Sequence, residues 1–151
     1  MALAYISTIF EHTEARTWAV LRDFHGWARW VGRIRETVAE GGDGPGAVGS
    51  VRHVTLEPDG RRVTERLVRY DEPDHSFSYE FVEPIPFPAT SYRGTVRLRP
   101  VTDTGHTFLE WYGEFDCEPA LTEQLRAAFT GLYTEFAGDL RKHLAAAEPP
   151  T

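Results

Sequence analysis

Two charged side chains, Glu65 and Arg69, are predicted to lie on the apolar face of a β-strand. The strand covers residues 62–71, and alternation puts both side chains on the same face as Val63 and Leu67. A charged group on a buried face costs free energy unless an opposite charge or hydrogen bonds satisfy it. These positions are therefore where the sequence departs from a purely apolar core.

Arg52, on the preceding strand, is the predicted partner of Glu65. Residues 58–61 read Pro-Asp-Gly-Arg, which is typical of a turn. With a loop of those four residues, Val54 pairs with Glu65, and Arg52 lies diagonal to Glu65 within reach of a long side chain. A shift of one residue in the register would turn Arg52 to the opposite face.

The pair of Arg52 and Glu65 has two interpretations. It is either a structural ion pair solvated at the rim of the sheet, or a polar spot at the bottom of an apolar pocket that would orient a carbonyl or hydroxyl group of a ligand. In a reaction of a carbonyl compound, Arg52 or a tyrosine such as Tyr92 would donate a hydrogen bond to the developing enolate oxygen. Glu65, as the inward carboxylate, would be the base. Arg52, Glu65 and Tyr92 are thus the catalytic candidates.

The same alternation gathers aromatic side chains on the inward face of the sheet, opposite the apolar stripe of a C-terminal helix. Tyrosine hydroxyls and the tryptophan N–H group on this face need hydrogen-bond partners when they are buried. The predicted ligand-binding residues are Trp30, Arg69, Phe77, Tyr79, Phe81, Phe87, Trp111, Phe115, Phe129 and Phe136.

Residues 83–89 contain three prolines around Phe87, which favours a stiff, extended segment. We predict that this segment forms the rim of the pocket together with Trp27 and Trp30. The alternative is a plain surface loop.

The order of elements predicts an α+β fold. Residues 4–11 form a first strand, Thr13 caps a short helix, and a second short helix follows around Trp27 and Trp30. The longest helix covers residues 119–146 and is the one element that can cover a sheet of seven strands. The tail 148–151 is predicted to fray. The six further strands, which form an antiparallel meander, are predicted over residues 34–40, 48–57, 62–71, 75–83, 92–100 and 106–115.

Composition excludes several classes of protein. The chain has 151 residues, which fits one domain over 1–151, and a net charge of −7, which argues against a nucleic-acid binder. One cysteine rules out an intramolecular disulfide framework, and the six histidines show no metal-binding spacing, so no metal or cofactor is predicted. No apolar run is long enough to span a membrane, and the first residues lack the features of a signal peptide, so a cytoplasmic protein is expected.

The chain resembles the START/SRPBCC superfamily, also called the helix-grip or birch-pollen-allergen-like fold, and within it the bacterial polyketide cyclase/dehydrase and lipid-transport branch. The resemblance covers nearly the whole chain and is strong for the fold. Near Trp30, where relatives often have His-Pro, this chain has Val31-Gly32. The stretches that carry the resemblance are residues 17–30, 46–52, 64–67 with Tyr70-Asp71, and Tyr92 with Trp111.

The resemblance implies a seven-stranded curved antiparallel sheet gripping the long C-terminal helix over a cavity. It implies two functions between which the sequence does not decide. One is binding of a hydrophobic, aromatic or polyketide-like small molecule. The other is a cyclase, aromatase or dehydratase, in which a pocket arginine (Arg52 or Arg69) and tyrosines (Tyr79 or Tyr92) assist aldol closure and dehydration. The sequence does not decide between a monomer and a homodimer.

Overall fold

A single sheet of seven antiparallel strands forms the framework of the computed structural model, which describes residues 1–147. The strand order is β1-β7-β6-β5-β4-β3-β2, so β1 and β2 are the edge strands. The chain meanders from β2 to β7, and β7 pairs with β1, the first strand of the chain. The predicted sheet is confirmed. The strands are β1 (Ala2–Phe10), β2 (Ile34–Glu40), β3 (Val51–Leu56), β4 (Arg62–Asp71), β5 (Ser76–Phe81), β6 (Ser91–Pro100) and β7 (Thr107–Asp116).

The two short helices after β1 are also present. Helix α1 (Glu14–Leu21) begins at Thr13, whose hydroxyl accepts a hydrogen bond from the Arg16 backbone N–H at 3.2 Å, as the N-cap prediction requires. A 3-10 helix follows over Phe24–Arg29. Its Trp27 is buried beneath the sheet's concave face and becomes part of the site described below.

Helix α2 (Thr122–Ala146), preceded by a 3-10 turn over Pro119–Leu121, packs across the concave face. The ring centroids of Phe129 and Phe115 lie 5.1 Å apart, and those of Phe136 and Trp111 lie 5.7 Å apart. This is the predicted contact between helix and sheet. Its buried stripe is Leu125, Phe129, Tyr133, Ala137, Leu140 and Leu144.

Two arginines of α2 fix the helix along the edge strand β1. Arg126 Nε donates to the Leu3 carbonyl at 2.9 Å, and Arg141 Nη2 donates to the Ile9 carbonyl at 3.2 Å. These bonds satisfy acceptors that an edge strand would otherwise leave to solvent or to another chain. The predicted frayed tail, 148–151, lies outside the described residues. No helix in residues 1–147 is long and apolar enough to cross a membrane.

Candidate functional site

A cavity of about 460 Å³ lies between α2 and the concave face of β3 to β6. Aromatic and aliphatic side chains form most of its wall, and two ion pairs interrupt it. The volume lies within the range of small-molecule sites. The wall is made of Trp27, Arg33, Ile34, Arg52, Val54, Leu56, Arg61, Val63, Glu65, Tyr79, Phe81, Pro86, Phe87, Tyr92, Ala127, Ala128, Phe129, Gly131, Leu132, Tyr133, Glu135 and Phe136.

Arg52 is the most deeply buried charged side chain of this wall, with 1% of its side chain exposed. Its guanidinium carbon lies 3.8 Å from the ring centroid of Phe24 and 4.1 Å from that of Trp27. Contacts of a cation with aromatic ring faces are favourable, more so when water is excluded. The 3-10 helix therefore supplies two aromatic rings that hold the guanidinium in place.

Hydrogen bonds complete the environment of Arg52. Its Nη1 donates to the Phe24 carbonyl at 2.7 Å, and its Nε and Nη2 both lie 3.0 Å from Glu65 Oε1. The Glu65 side chain is 12% exposed and lines the cavity. Arg52 contacts only Oε1 of Glu65. Within residues 1–147, the second oxygen of this carboxylate therefore remains available to a ligand.

The predicted pairing register of this hairpin was wrong by two residues. Arg52 lies directly opposite Glu65, not diagonal to it. The chain turns at residues 57–60, where Leu56 N–H donates to the Arg61 carbonyl at 2.8 Å. A shift of two preserves the face of each side chain, so the predicted inward contact between Arg52 and Glu65 is confirmed.

Three tyrosines form a second polar group in the cavity wall. The hydroxyls of Tyr92 and Tyr133 are hydrogen-bonded to each other, and the Tyr79 hydroxyl accepts the Trp111 indole N–H at 3.1 Å. Tyr133 was not among the predicted site residues. Its position four residues after Phe129 in α2 is the signal that would have found it.

Burial keeps these phenols neutral. It raises the pKa of Tyr79 to about 12, and the nearby negative charge of Glu65 adds to the rise. Burial raises the pKa of Tyr92 and of Tyr133 as well. At neutral pH the wall therefore offers phenolic O–H groups beside one carboxylate, that is, hydrogen-bond donors and an acceptor in a mostly apolar space.

Arg69 is not part of the cavity, and its predicted inward position was wrong. The pairing of β4 with β5 shifts between Leu67 and Arg69, and this bulge reverses the alternation that follows. Arg69 instead donates to the hydroxyls of Ser76 at 3.0 Å and Ser78 at 3.3 Å. These serines alternate with the inward aromatic residues of β5, so Arg69 lies on the convex face.

Four predicted ligand contacts, Trp30, Phe77, Trp111 and Phe115, do not line the cavity. Trp27 separates the first three from it, with ring centroids 5.1 Å from Trp30, 6.1 Å from Phe77 and 5.4 Å from Trp111. Alternation along a strand predicts the face on which a side chain lies, but not whether another side chain covers it. Here the covering ring is that of Trp27, which belongs to the 3-10 helix.

The remaining predicted aromatic contacts lie where they were expected. Tyr79, Phe81, Phe87, Phe129 and Phe136 all line the cavity, as does the catalytic candidate Tyr92. Phe87 packs against Phe129 with a centroid distance of 4.8 Å and lines the cavity beside Pro86. Trp27 and Trp30 are buried, so the prediction that they share this rim was wrong. Residues 1–147 contain no group of three or more potential metal ligands.

The sequence as a whole matches one protein family. The model for polyketide cyclase/dehydrase and lipid transport proteins aligns with residues 4–145. The chain belongs to this family. No curated protein matches the sequence.

Several solved structures share the fold of this chain. The protein XoxI of Bacillus cereus is 23% identical, with a TM-score of 0.84 over 99% of this chain and 100% of its own. A Thermobifida fusca protein is 25% identical, with a TM-score of 0.83 over 100% and 98%. Norcoclaurine synthase of Thalictrum flavum, in complex with dopamine and hydroxybenzaldehyde, is 15% identical, with a TM-score of 0.75 over 98% and 88%.

This member of the polyketide cyclase/dehydrase and lipid transport family therefore has the helix-grip fold of the solved structures that it resembles. Family and fold indicate binding of a hydrophobic ligand or a polyketide cyclase-like function. The choice of ligand and of chemistry depends on the cavity of this chain.

Proposed function

We propose that the protein binds an oxygen-bearing aromatic or polyketide-like small molecule in the cavity. The observation that carries the proposal is the wall itself, a concave aromatic surface in which the pair of Arg52 and Glu65 lies beside three tyrosines. The rings of Phe81, Phe129 and Phe136 would contact the apolar body of the ligand, and burial of that body supplies the affinity.

The polar groups set which ligands are accepted. A carbonyl oxygen of the ligand would accept from a tyrosine hydroxyl, and a ligand hydroxyl would donate to Glu65. A cavity that presents buried polar groups discriminates against analogues unable to bond with them, because those groups then stay unpaired. Norcoclaurine synthase, a protein of the same fold, is seen in complex with two aromatic molecules. This supports the proposal of an aromatic ligand.

Fluorescence titration with N-phenyl-1-naphthylamine, a neutral aromatic dye, tests binding. Leu132→Trp places an indole in the cavity and should abolish saturable binding. Thr134→Trp adds the same group on the exposed side of α2 and should leave the affinity within about twofold. Equal binding by both variants would place the dye elsewhere and contradict the proposal.

A second pair of ligands tests the polar groups. 2-Acetylnaphthalene and 2-ethylnaphthalene share one skeleton and differ in the carbonyl group. Wild-type protein should prefer the ketone, and the triple variant Tyr79→Phe/Tyr92→Phe/Tyr133→Phe should remove that preference while binding of the hydrocarbon persists. An unchanged preference would show that the tyrosines do not contact the ligand.

Catalysis of a cyclase or dehydratase type is the second candidate. The observation that favours it is the Glu65 carboxylate, held by Arg52 through one oxygen and facing the same cavity as the neutral phenols. Glu65 would take a proton from the carbon next to a ligand carbonyl, and a tyrosine O–H would hydrogen-bond the enolate oxygen as charge develops there.

Proton exchange measures this step without knowledge of the natural substrate. In deuterated buffer, the protein should accelerate exchange of the methyl protons of 2-acetylnaphthalene, as followed by NMR. Glu65→Gln should abolish the acceleration while the ketone still binds. Exchange at the buffer rate with wild-type protein would leave binding as the function.

A further inference from the structure

The mouth of the cavity carries an unbalanced positive charge. The lining residues that are also exposed mark this mouth, and they are Arg33, Arg61, Ala127, Ala128, Gly131 and Glu135. The three on α2 with small side chains leave the helix side of the mouth unobstructed, and a Cβ atom at Gly131 would meet no atom within 4 Å. The two arginines lie on the opposite side of the mouth, and Glu135 is the charged residue on the helix side.

Two of the three arginines in the wall are neutralised by a carboxylate. Arg52 pairs with Glu65 inside the cavity. Arg33 Nη2 lies 2.8 Å from Glu135 Oε1, and Arg33 Nε lies 2.5 Å from Glu135 Oε2, a bidentate pair. Arg61 has no carboxylate partner among the ion pairs of residues 1–147, so its charge remains over the mouth.

The Arg61 guanidinium is held in position. Its backbone is fixed in the β3–β4 turn, where its N–H donates to Asp59 Oδ1 at 3.0 Å. Its Nη2 donates to the Pro86 carbonyl at 2.8 Å, which brings the head group next to Phe87 and the apolar wall. A guanidinium has five N–H donors, so a single bond to a neutral carbonyl leaves most of them for another acceptor.

We infer that Arg61 binds an oxyanion on the end of the ligand that remains at the mouth. The inference rests on the proposed binding function and specifies its ligand class: an amphiphile with an apolar aromatic body inside the cavity and a carboxylate, sulfonate or phosphate group at the opening. Guanidinium groups bind such groups through paired N–H donors. The net charge of the chain is −7, so the surface in general does not attract anions and this local cation supplies the selectivity.

Two dyes with one skeleton separate this inference from the proposed function. 8-Anilinonaphthalene-1-sulfonate differs from N-phenyl-1-naphthylamine by its sulfonate group. Each should displace the other from wild-type protein, since both occupy the same cavity. Arg61→Gln should weaken binding of the sulfonate dye about fivefold and leave the neutral dye within about twofold.

Arg62→Gln is the matched control. Arg62 is exposed, follows Arg61 directly and does not line the cavity, so both variants lose the same charge. It should leave both affinities unchanged. Sodium chloride at 0.3 M should weaken binding of the sulfonate dye by wild-type protein but have little effect on Arg61→Gln.

The outcomes are distinct. Saturable binding of the neutral dye with no selective loss of the sulfonate dye in Arg61→Gln overturns the inference and keeps the proposed function. An equal loss in Arg62→Gln also overturns it, because a diffuse field would then be responsible. Failure of both dyes to bind, with unchanged thermal melting of all variants, overturns the inference and contradicts the proposed function.

Discussion

Gly94 and Gly113 lie directly opposite each other on β6 and β7, and the space above them receives the ring ends of Tyr79 and Tyr133. A Cβ atom at Gly94 would lie 2.5 Å from Tyr79 Cζ, and one at Gly113 would lie 2.2 Å from the Tyr133 hydroxyl oxygen. The two glycines are therefore required by close packing. They allow the phenols to reach the sheet and form the polar part of the cavity wall.

Gly113→Ala should destabilise the protein by about 1–3 kcal/mol, because the new methyl group displaces Tyr133. In a Tyr133→Phe background the same change should cost less, since the hydroxyl that it meets is absent. Urea denaturation of the four proteins forms a double-mutant cycle. Strictly additive effects would show that Gly113 and Tyr133 do not share this space.

The sequence predicted the fold, and eight of its thirteen candidate site residues line the cavity. Periodicity fixed the sheet, α2 and the inward face of Arg52, Glu65 and Tyr92, because burial on one face imposes alternation. Arg69 could not be placed, since the bulge after Leu67 leaves no mark in the hydrophobic pattern.

The covered aromatic residues were misassigned for a different physical reason. Phe77 and Trp111 do point inward, but Trp27 of the 3-10 helix covers them. Which side chain reaches the cavity depends on the docking of distant segments, and single-strand patterns contain no information on that. Arg61 was missed because its role depends on the neighbouring proline-rich segment.

Alkaline pH should destabilise the protein through its buried tyrosines. An unfolded tyrosine has a pKa of about 10, whereas in the folded protein burial raises the pKa of Tyr79 to about 12. Below pH 10 both states keep the proton and stability is unaffected. Between pH 10 and 12 the unfolded state loses protons first, so the free energy of unfolding falls, by about 2–3 kcal/mol for Tyr79 alone.

Absorbance at 295 nm, which reports phenolate, checks this expectation. Tyr79, Tyr92 and Tyr133 should ionise only as near-ultraviolet circular dichroism is lost. Tyr79→Phe should reduce the pH dependence of the free energy of unfolding above pH 10. Ionisation of all tyrosines near pH 10 in a folded protein would contradict the burial of the three phenols.

Removing Arg52 should destabilise the protein. Arg52→Met leaves a largely buried carboxylate without its cation, and a loss of about 3–5 kcal/mol is expected. The double variant Arg52→Met/Glu65→Met should recover part of that loss, because no unpaired charge remains. Chemical denaturation of the wild-type protein and the two variants measures these losses. A double variant less stable than Arg52→Met would show that the pair stabilises the fold beyond mutual neutralisation.

Phe87→Ala should weaken binding of N-phenyl-1-naphthylamine about three- to tenfold, because the ring forms apolar wall against Phe129 near the opening. Val38→Ala is the control, since Val38 is 51% exposed on β2 and does not line the cavity. Fluorescence titration gives both affinities. If Phe87→Ala bound the dye as tightly as Val38→Ala, residues 83–89 would not be part of the binding surface.

The indole N–H signals of the tryptophans test the central claim, that ligands occupy the cavity between α2 and the sheet. Trp27 lines the cavity, and the Trp111 indole donates to the Tyr79 hydroxyl in its wall. Trp18 instead donates to Glu72 at 2.8 Å, away from the cavity. In ¹⁵N–¹H NMR spectra, saturating N-phenyl-1-naphthylamine should shift the signals of Trp27 and Trp111 with one dissociation constant and leave that of Trp18 in place. A saturable shift of Trp18 with Trp27 and Trp111 unmoved would contradict the account.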